Sequence, residues 1–221
     1  MQRMTRISPD EGRTRMQNQH NRVIYRIYAP LYDSFMRPFT DAARRRAIAL
    51  LALQPGERLL IPGVGTGLDL PTLPESIYTI ATDLSPAMLR QARAKAAGGD
   101  VTFAIMDAQV LGFPDASFDA VLLNLIVSVV PDGAAAFHAA WQVLRPGGRA
   151  IIFDKFLPEG AAMSPMRRVA GSVIRRLGTD PNRRLHEVLG PDGMHTIERD
   201  EPSLLGGQYR IVLIRKPLMQ Q

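Results

Sequence analysis

The sequence predicts an α/β domain built on a doubly wound, mainly parallel sheet. Three observations predict it. Short apolar strands alternate with helical stretches from Arg58 onward, which places helices on both faces of a sheet. The run Phe118 to Leu123 is apolar enough to lie buried on both sides. A length of 221 residues suits one domain with an ample core.

Taken in order, residues 1–20 read as a mobile basic arm rich in Arg, Gln and Asn. From Asn21 to Leu53 the pattern is helical. Pro30 disfavours helix at Ala29, so one helix ends near Tyr28 and another runs from about Thr40 to Leu53. Gln54-Pro55-Gly56-Glu57 is a turn. Arg58 to Pro62 forms the first strand, followed by a glycine turn and a brief helix. Tyr78 to Thr82 is the second strand. Ser85 to Ala97 is a helix, with Ser85 as N-cap and Pro86 at the favoured first position. Val101 to Met106 and Phe118 to Leu123 are the third and fourth strands. Ala134 to Leu144 is a helix, Pro146-Gly147-Gly148 a turn and Arg149 to Asp154 the fifth strand. Met194 to Arg199 and Tyr209 to Arg215 complete the set. Residues 157–191 form an insert that a minimal doubly wound domain does not require, so the organisation is an arm and a single domain, 21–221.

Composition excludes several chemistries. With no cysteine there are no disulfides, thiolate metal sites or Cys nucleophiles. The four histidines, His20, His138, His186 and His195, show no metal-ligand spacing, so no metal is expected. The polar N-terminus lacks a signal-peptide core, and the apolar stretch 120–130 is too short to span a bilayer. A cytoplasmic chain is therefore expected. The net charge of +6 is carried almost wholly by arginine, in runs such as Arg44-Arg45-Arg46. Such a balance suits an anionic partner or simply a solvated basic surface.

The chemistry centres on Gly63-Val64-Gly65-Thr66-Gly67, at the carboxyl end of the first strand, where ligands bind in open parallel sheets. Glycines there let the backbone approach a ligand closely. Asp83, ending the second strand, suits both hydroxyls of a ribose. Asp107, ending the third strand, suits an adenine amino group. The G-x-G-x-G spacing lacks the third glycine of the dinucleotide fingerprint, and none of the five tyrosines has a lysine four residues later. S-adenosylmethionine fits this set better than a dinucleotide.

The segments L-L-I-P-G-V-G-T-G (59–67), A-T-D-L-S-P-A-M-L (81–89), M-D-A (106–108), S-F-D-A-V (117–121) and L-R-P-G-G-R (144–149) resemble, in order and spacing, the class I S-adenosylmethionine-dependent methyltransferases. The resemblance covers about residues 20–156. It implies a Rossmann-like, seven-stranded, mostly parallel sheet with an antiparallel last strand, N-terminal helices and the insert before the sixth strand. It also implies S-adenosylmethionine as cofactor and S-adenosylhomocysteine as product. By that resemblance Gly63, Gly65 and Gly67 contact the methionine part, Asp83 takes the ribose, and Leu84 and Met88 flank the adenine. Met106, Asp107 and Ala108 form its edge, and Asn124 faces the sulfonium or the substrate. One position departs: the family usually has an acidic residue two places before the first glycine, and this chain has Ile61. Asp69 is the residue expected to compensate.

For the acceptor, methyl transfer needs alignment in a desolvated pocket more than a dedicated base. The fourth strand ends in Asn124-Leu125-Ile126-Val127, unlike the signature of enzymes that methylate base amino groups, so no nucleic-acid partner is expected. Tyr25, Tyr28 and Tyr32 fall at i, i+3 and i+7, an aromatic lid able to hold a cationic headgroup, or else sheet packing. Met163, Met166, Ala170, Val173 and Leu177 form an apolar stripe with Arg167, Arg168, Arg175 and Arg176 beside it. That pattern suits an interfacial helix on an anionic membrane or a helix closing the site. The combination resembles the phospholipid N-methyltransferases related to ubiquinone and menaquinone C-methyltransferases. It implies phosphatidylethanolamine as acceptor, with Arg183 or Arg184 pairing the lipid phosphate. The expectation is then a monomer, peripheral to the inner face of the membrane. C- or O-methylation of a quinone precursor or other small molecule is the alternative. A non-catalytic membrane- or RNA-binding scaffold is a second one.

Overall fold

The computed structural model describes residues 38–96, 98–158, 180 and 182–218. The basic arm, the tyrosines at 25, 28 and 32, and the 163–177 stripe with its arginines lie outside the described residues.

Helix α1 spans 38–51. Thr40, Ala43, Ala47, Ile48 and Leu51 recur at helical spacing, and all are buried. Strand β1 (Arg58–Pro62) leads through the glycine turn to a 3-10 turn at Leu70–Thr72. Then follow β2 (Tyr78–Asp83), α2 (Pro86–Lys95), β3 (Asp100–Ile105), β4 (Phe118–Asn124) and α3 (Gly133–Val143). The chain closes with β5 (Leu144–Lys155), α4 (Leu185–Met194), β6 (Ile197–Pro202) and β7 (Tyr209–Arg215). The strand order is β3-β2-β1-β4-β5-β7-β6, with β7 antiparallel to both neighbours and the other pairs parallel.

Alternation along each strand divides the core in two. Leu59, Ile61, Ala120, Leu122, Ile151, Phe153, Ile211 and Leu213 join α1 and α2 on one face. Leu60, Val121, Leu123, Ala150, Ile152, Val212 and Ile214 join α3 and α4 on the other. The sheet is thus doubly wound, as its sequence predicts.

Three local expectations need correction. Ser85 does sit at the N-cap of α2, but its side chain makes no capping bond. The Pro146-Gly147-Gly148 turn lies inside β5 as an irregularity, where pairing steps from Phe118↔Leu144 to Ala120↔Arg149. The sixth strand starts at Ile197, not Met194, because α4 precedes it. In α4 the Glu187 carboxylate accepts from the Arg184 backbone N–H, and Leu185, Val188 and Leu189 are buried at i, i+3 and i+4. Gly190-Pro191, a breaker pair in sequence, is accommodated there as a kink with Gly190 at φ 66°.

One arginine ties α1 to the sheet. Arg149, 8% exposed, donates to both oxygens of Glu57 at 2.9 and 2.6 Å. It also donates to the carbonyls of Leu51 and Ala52 at the end of α1. The guanidinium holds the Glu57 carboxyl below the usual carboxylate range.

Candidate functional site

The three glycines of the turn have different physical reasons to be glycine. All have positive φ, at 67°, 57° and 78°. A Cβ on Gly63 would run into the Ile126 side chain, and one on Gly67 would stand 2.8 Å from the Ala92 Cα of helix α2. A Cβ on Gly65 would meet nothing within 4 Å. Gly63 and Gly67 are therefore needed for packing, whereas Gly65 leaves open space beside bare backbone. The turn is stitched to β2: Val64 N–H donates to the Thr82 carbonyl at 2.8 Å, and Gly65 N–H to Asp83 Oδ2 at 2.9 Å.

Asp83 also accepts from the Ser85 N–H at 2.8 Å. Burial pushes its carboxyl above the usual carboxylate range, and the two backbone N–H bonds oppose that shift. Each oxygen holds one donor and retains capacity for another. Leu84 is half-buried, and Met88 is buried without belonging to any of the three hydrophobic clusters. On the next strand, Met106 N–H donates to the Asp83 carbonyl at 3.2 Å, so the two strand ends are in register. Asp107 Oδ1 accepts from Gln109 through its backbone N–H and side-chain amide, at 3.0 and 2.9 Å. Ala108 is buried and packs with Val130 and Ala136.

Across the turn, on β4, Asn124 donates its amide N–H to Asp69 Oδ1 at 2.9 Å. Arg44 Nη1 donates to Asp69 Oδ2 at 2.8 Å. Both oxygens of Asp69, the residue expected to replace the carboxylate missing at position 61, are thus engaged within the protein. Ile61 itself is 1% exposed and belongs to the core cluster under α1 and α2. The arginine triplet 44–46 is likewise committed: Arg45 pairs with Asp41 and Arg46 with Glu201. It is not a bare basic patch.

The sheet order sets these groups in a row, Asp107 on β3, Asp83 on β2, the glycine turn on β1 and Asn124 on β4. At about 4.8 Å per strand interval the row is on the order of 14 Å long. S-adenosylmethionine carries hydrogen-bond donors at its adenine amino group, ribose hydroxyls and α-ammonium. Acceptors on β3, β2 and β4 face this sequence of donors, and Asn124 Oδ1 is buried without a partner. The residues present fit the molecule.

Beyond the ends of β4 and β5 a second set of polar groups is buried. Asp154, fully buried, accepts from the Ser128 N–H at 3.0 Å and the Lys155 N–H at 2.8 Å. Burial raises the carboxyl of Asp154 and lowers the ammonium of Lys155 from their ordinary values. Arg183, expected near a lipid phosphate, directs its guanidinium to the carbonyls of Val127, Val130 and Pro131. Arg184 donates to the Pro158 carbonyl at 3.1 Å. The pairings of Arg44 and Asp154 gave no signal in the sequence, because their partners are 25 and 26 residues away.

A family model described as a methyltransferase domain matches residues 60–152. A phosphatidylethanolamine N-methyltransferase of Cereibacter sphaeroides is 27% identical over 190 residues, covering 84% of this chain and 93% of that protein. A demethylmenaquinone methyltransferase of Thermus thermophilus is 34% identical over 150 residues, covering 64% and 68% respectively. The crystal structure of a SAM-dependent methyltransferase of Thermotoga maritima, described as a possible histamine N-methyltransferase, matches with a TM-score of 0.62 at 20% identity. That match covers 87% of this chain and 98% of the other, and it speaks for the fold.

Proposed function

This chain belongs to the class I S-adenosylmethionine-dependent methyltransferases, and from that premise we propose that it methylates the amine of a phosphatidylethanolamine headgroup at a membrane surface. The observation that carries the acceptor is the extent of the Cereibacter sphaeroides relative. Its match runs over 84% of this chain, well outside the donor-binding core at 60–152 that methyltransferases of many substrates share. The arginine-bordered apolar stripe of the insert supports the same reading, since such a face suits anionic lipid. No helix among the described residues is long and apolar enough to cross a membrane. Access from the surface agrees with that. The second reading, C-methylation of a quinone precursor, is favoured by the higher identity of the Thermus thermophilus relative over its shorter match.

Bound S-adenosylmethionine supplies an electrophilic methyl group on a sulfonium. In this reading the chain's own residues do the following. Asp83 accepts from the ribose hydroxyls, with its carboxylate already oriented by Gly65 and Ser85. Leu84 and Met88 flank the adenine, and Asp107 and Ala108 form its edge. Gly65 lets the methionine part lie against bare backbone. Asp154 and Arg183 hold the loop after β4 from both sides, which shapes the acceptor pocket and keeps water out. Because Arg183 is committed to that loop and Arg184 to the Pro158 carbonyl, the contact to a lipid phosphate falls to Arg167, Arg168, Arg175 and Arg176. Tyr25, Tyr28 and Tyr32 hold the headgroup as an ammonium, where each ring adds about 0.5–2 kcal/mol by cation–π attraction. The nitrogen gives a proton to water before it attacks the methyl group.

The test is incubation of the purified chain with methyl-labelled donor and liposomes of phosphatidylethanolamine and an anionic lipid, alongside a demethylated quinone. Label in the monomethylated headgroup is expected. Label only in the quinone would select the second reading.

A further inference from the structure

The buried oxygen of Asn124 points beyond the role just assigned to its neighbours. Its amide nitrogen is fixed on Asp69 Oδ1 at 2.9 Å, and Asp69 Oδ2 is fixed by Arg44 at 2.8 Å. Arg44 Nε in turn rests 3.4 Å from Thr40 Oγ1, one turn earlier in α1. Asn124 is 6% and Asp69 2% exposed, and the Arg44 side chain is 13% exposed. An amide turned over would set its oxygen against the carboxylate, acceptor against acceptor. The Asp69 carboxylate therefore decides which way the amide faces, and Arg44 holds that carboxylate in place. The result is an oxygen without a donor, buried at the carboxyl end of β4. Leaving such an acceptor unmet is costly, so a donor-bearing ligand group belongs there.

The charges of Arg44 and Asp69 cancel, so the cluster is neutral with one acceptor to offer. A sulfonium has no N–H to give it. With adenine at Asp107 and ribose at Asp83, a donor laid along β3-β2-β1-β4 brings its amino-acid end to β4. We propose that Arg44 is a positioning residue for the methyl donor. Through Asp69 it turns the Asn124 amide so that Oδ1 accepts from the donor's α-ammonium. The relay supplies from helix α1 a hold that Ile61, a core residue, cannot supply from β1. This inference rests on the methyl-donor reading.

Calorimetric titration with S-adenosylhomocysteine and with its deamino analogue, which lacks only the ammonium, tests it. Wild-type protein is expected to prefer S-adenosylhomocysteine by about tenfold or more. Arg44→Ala frees the Asp69 carboxylate to turn from Asn124 toward solvent. It should bring the two ligands within about threefold of each other while the analogue's own affinity stays within about threefold of wild type. Arg44→Lys should restore part of the preference. If Arg44→Ala does not fold, Asn124→Ala, which leaves the ion pair in place, reads the same ratio. A preference retained in either variant, or both ligands weakened equally, overturns the relay. So does a wild type without preference. A wild type that binds neither ligand overturns the donor assignment itself, and the relay with it.

Discussion

Gly65→Ala should separate ligand binding from folding at the glycine turn. The new Cβ meets nothing within 4 Å, so the protein itself resists only through the backbone, held at φ 57°. An L-residue in that left-handed region costs about 1–2 kcal/mol. For a chain of this size each kcal/mol lowers Tm by roughly 2–4 °C, so a loss of about 2–8 °C is expected. The methyl group does, however, stand in the space where the donor approaches bare backbone. Overpacking of that kind costs about 1–3 kcal/mol, which weakens S-adenosylhomocysteine binding by roughly 5–150-fold. Gly67→Ala is the contrast. It meets the same backbone penalty at φ 78° and also puts a Cβ 2.8 Å from the Ala92 Cα, where only a shift of α2 against the turn gives relief. Its loss of stability should exceed that of Gly65→Ala by about 1–3 kcal/mol. Circular-dichroism melting and calorimetric titration measure the two effects separately. Gly65→Ala binding S-adenosylhomocysteine as wild type does, or melting as low as Gly67→Ala, would refute the division of roles.

Arg149→Met should cost about 1–3 kcal/mol, because the half-buried Glu57 loses its cation and the α1 carbonyls lose a donor. Since Glu57 has a depressed carboxyl in the folded protein, its contribution is present above the unfolded value of about 4.3 and lost as pH falls through the lower folded value. Urea unfolding from pH 7 to 3 should show that slope in wild type and lose it in Arg149→Met. Asp83 has the opposite shift, so it takes up a proton above the ordinary aspartate value of about 3.9, and donor affinity should fall as pH is lowered into that range. Asp83→Asn should bind weakly at every pH; an unchanged affinity in that variant would dismiss the ribose contact. Arg183→Lys cannot reach three carbonyls at once, so hydrogen exchange over 127–131 should quicken and stability drop by about 1–3 kcal/mol. Exchange equal to wild type would count against the clamp.

What was legible in the sequence is what short-range rules govern. Short, nearly continuous apolar runs in β1, β4, β5 and β7 announce strands because helices cover both faces of the sheet. The glycine turn, Asp83 and Asp107 are readable because each sits at the end of a strand, where backbone geometry and residue type are local matters. The helix α4 was missed because Gly190-Pro191 signals a break, and only packing of Leu185, Val188 and Leu189 under α3 compensates for it. The shift of β6 follows from the same helix.

For the proposed donor site, residue types alone pointed to a nucleoside-binding edge, with carboxylates and glycines at the strand ends. Tertiary structure decided which of its groups are already paired within the protein. Asp69 looked free to replace a missing carboxylate, yet Arg44 and Asn124, 25 and 55 residues away, engage both of its oxygens. An arginine triplet that reads as surface charge turns out to include the guanidinium that pairs with Asp69. Charge and spacing determine which groups can bind; only the fold determines which of them are already bound to each other.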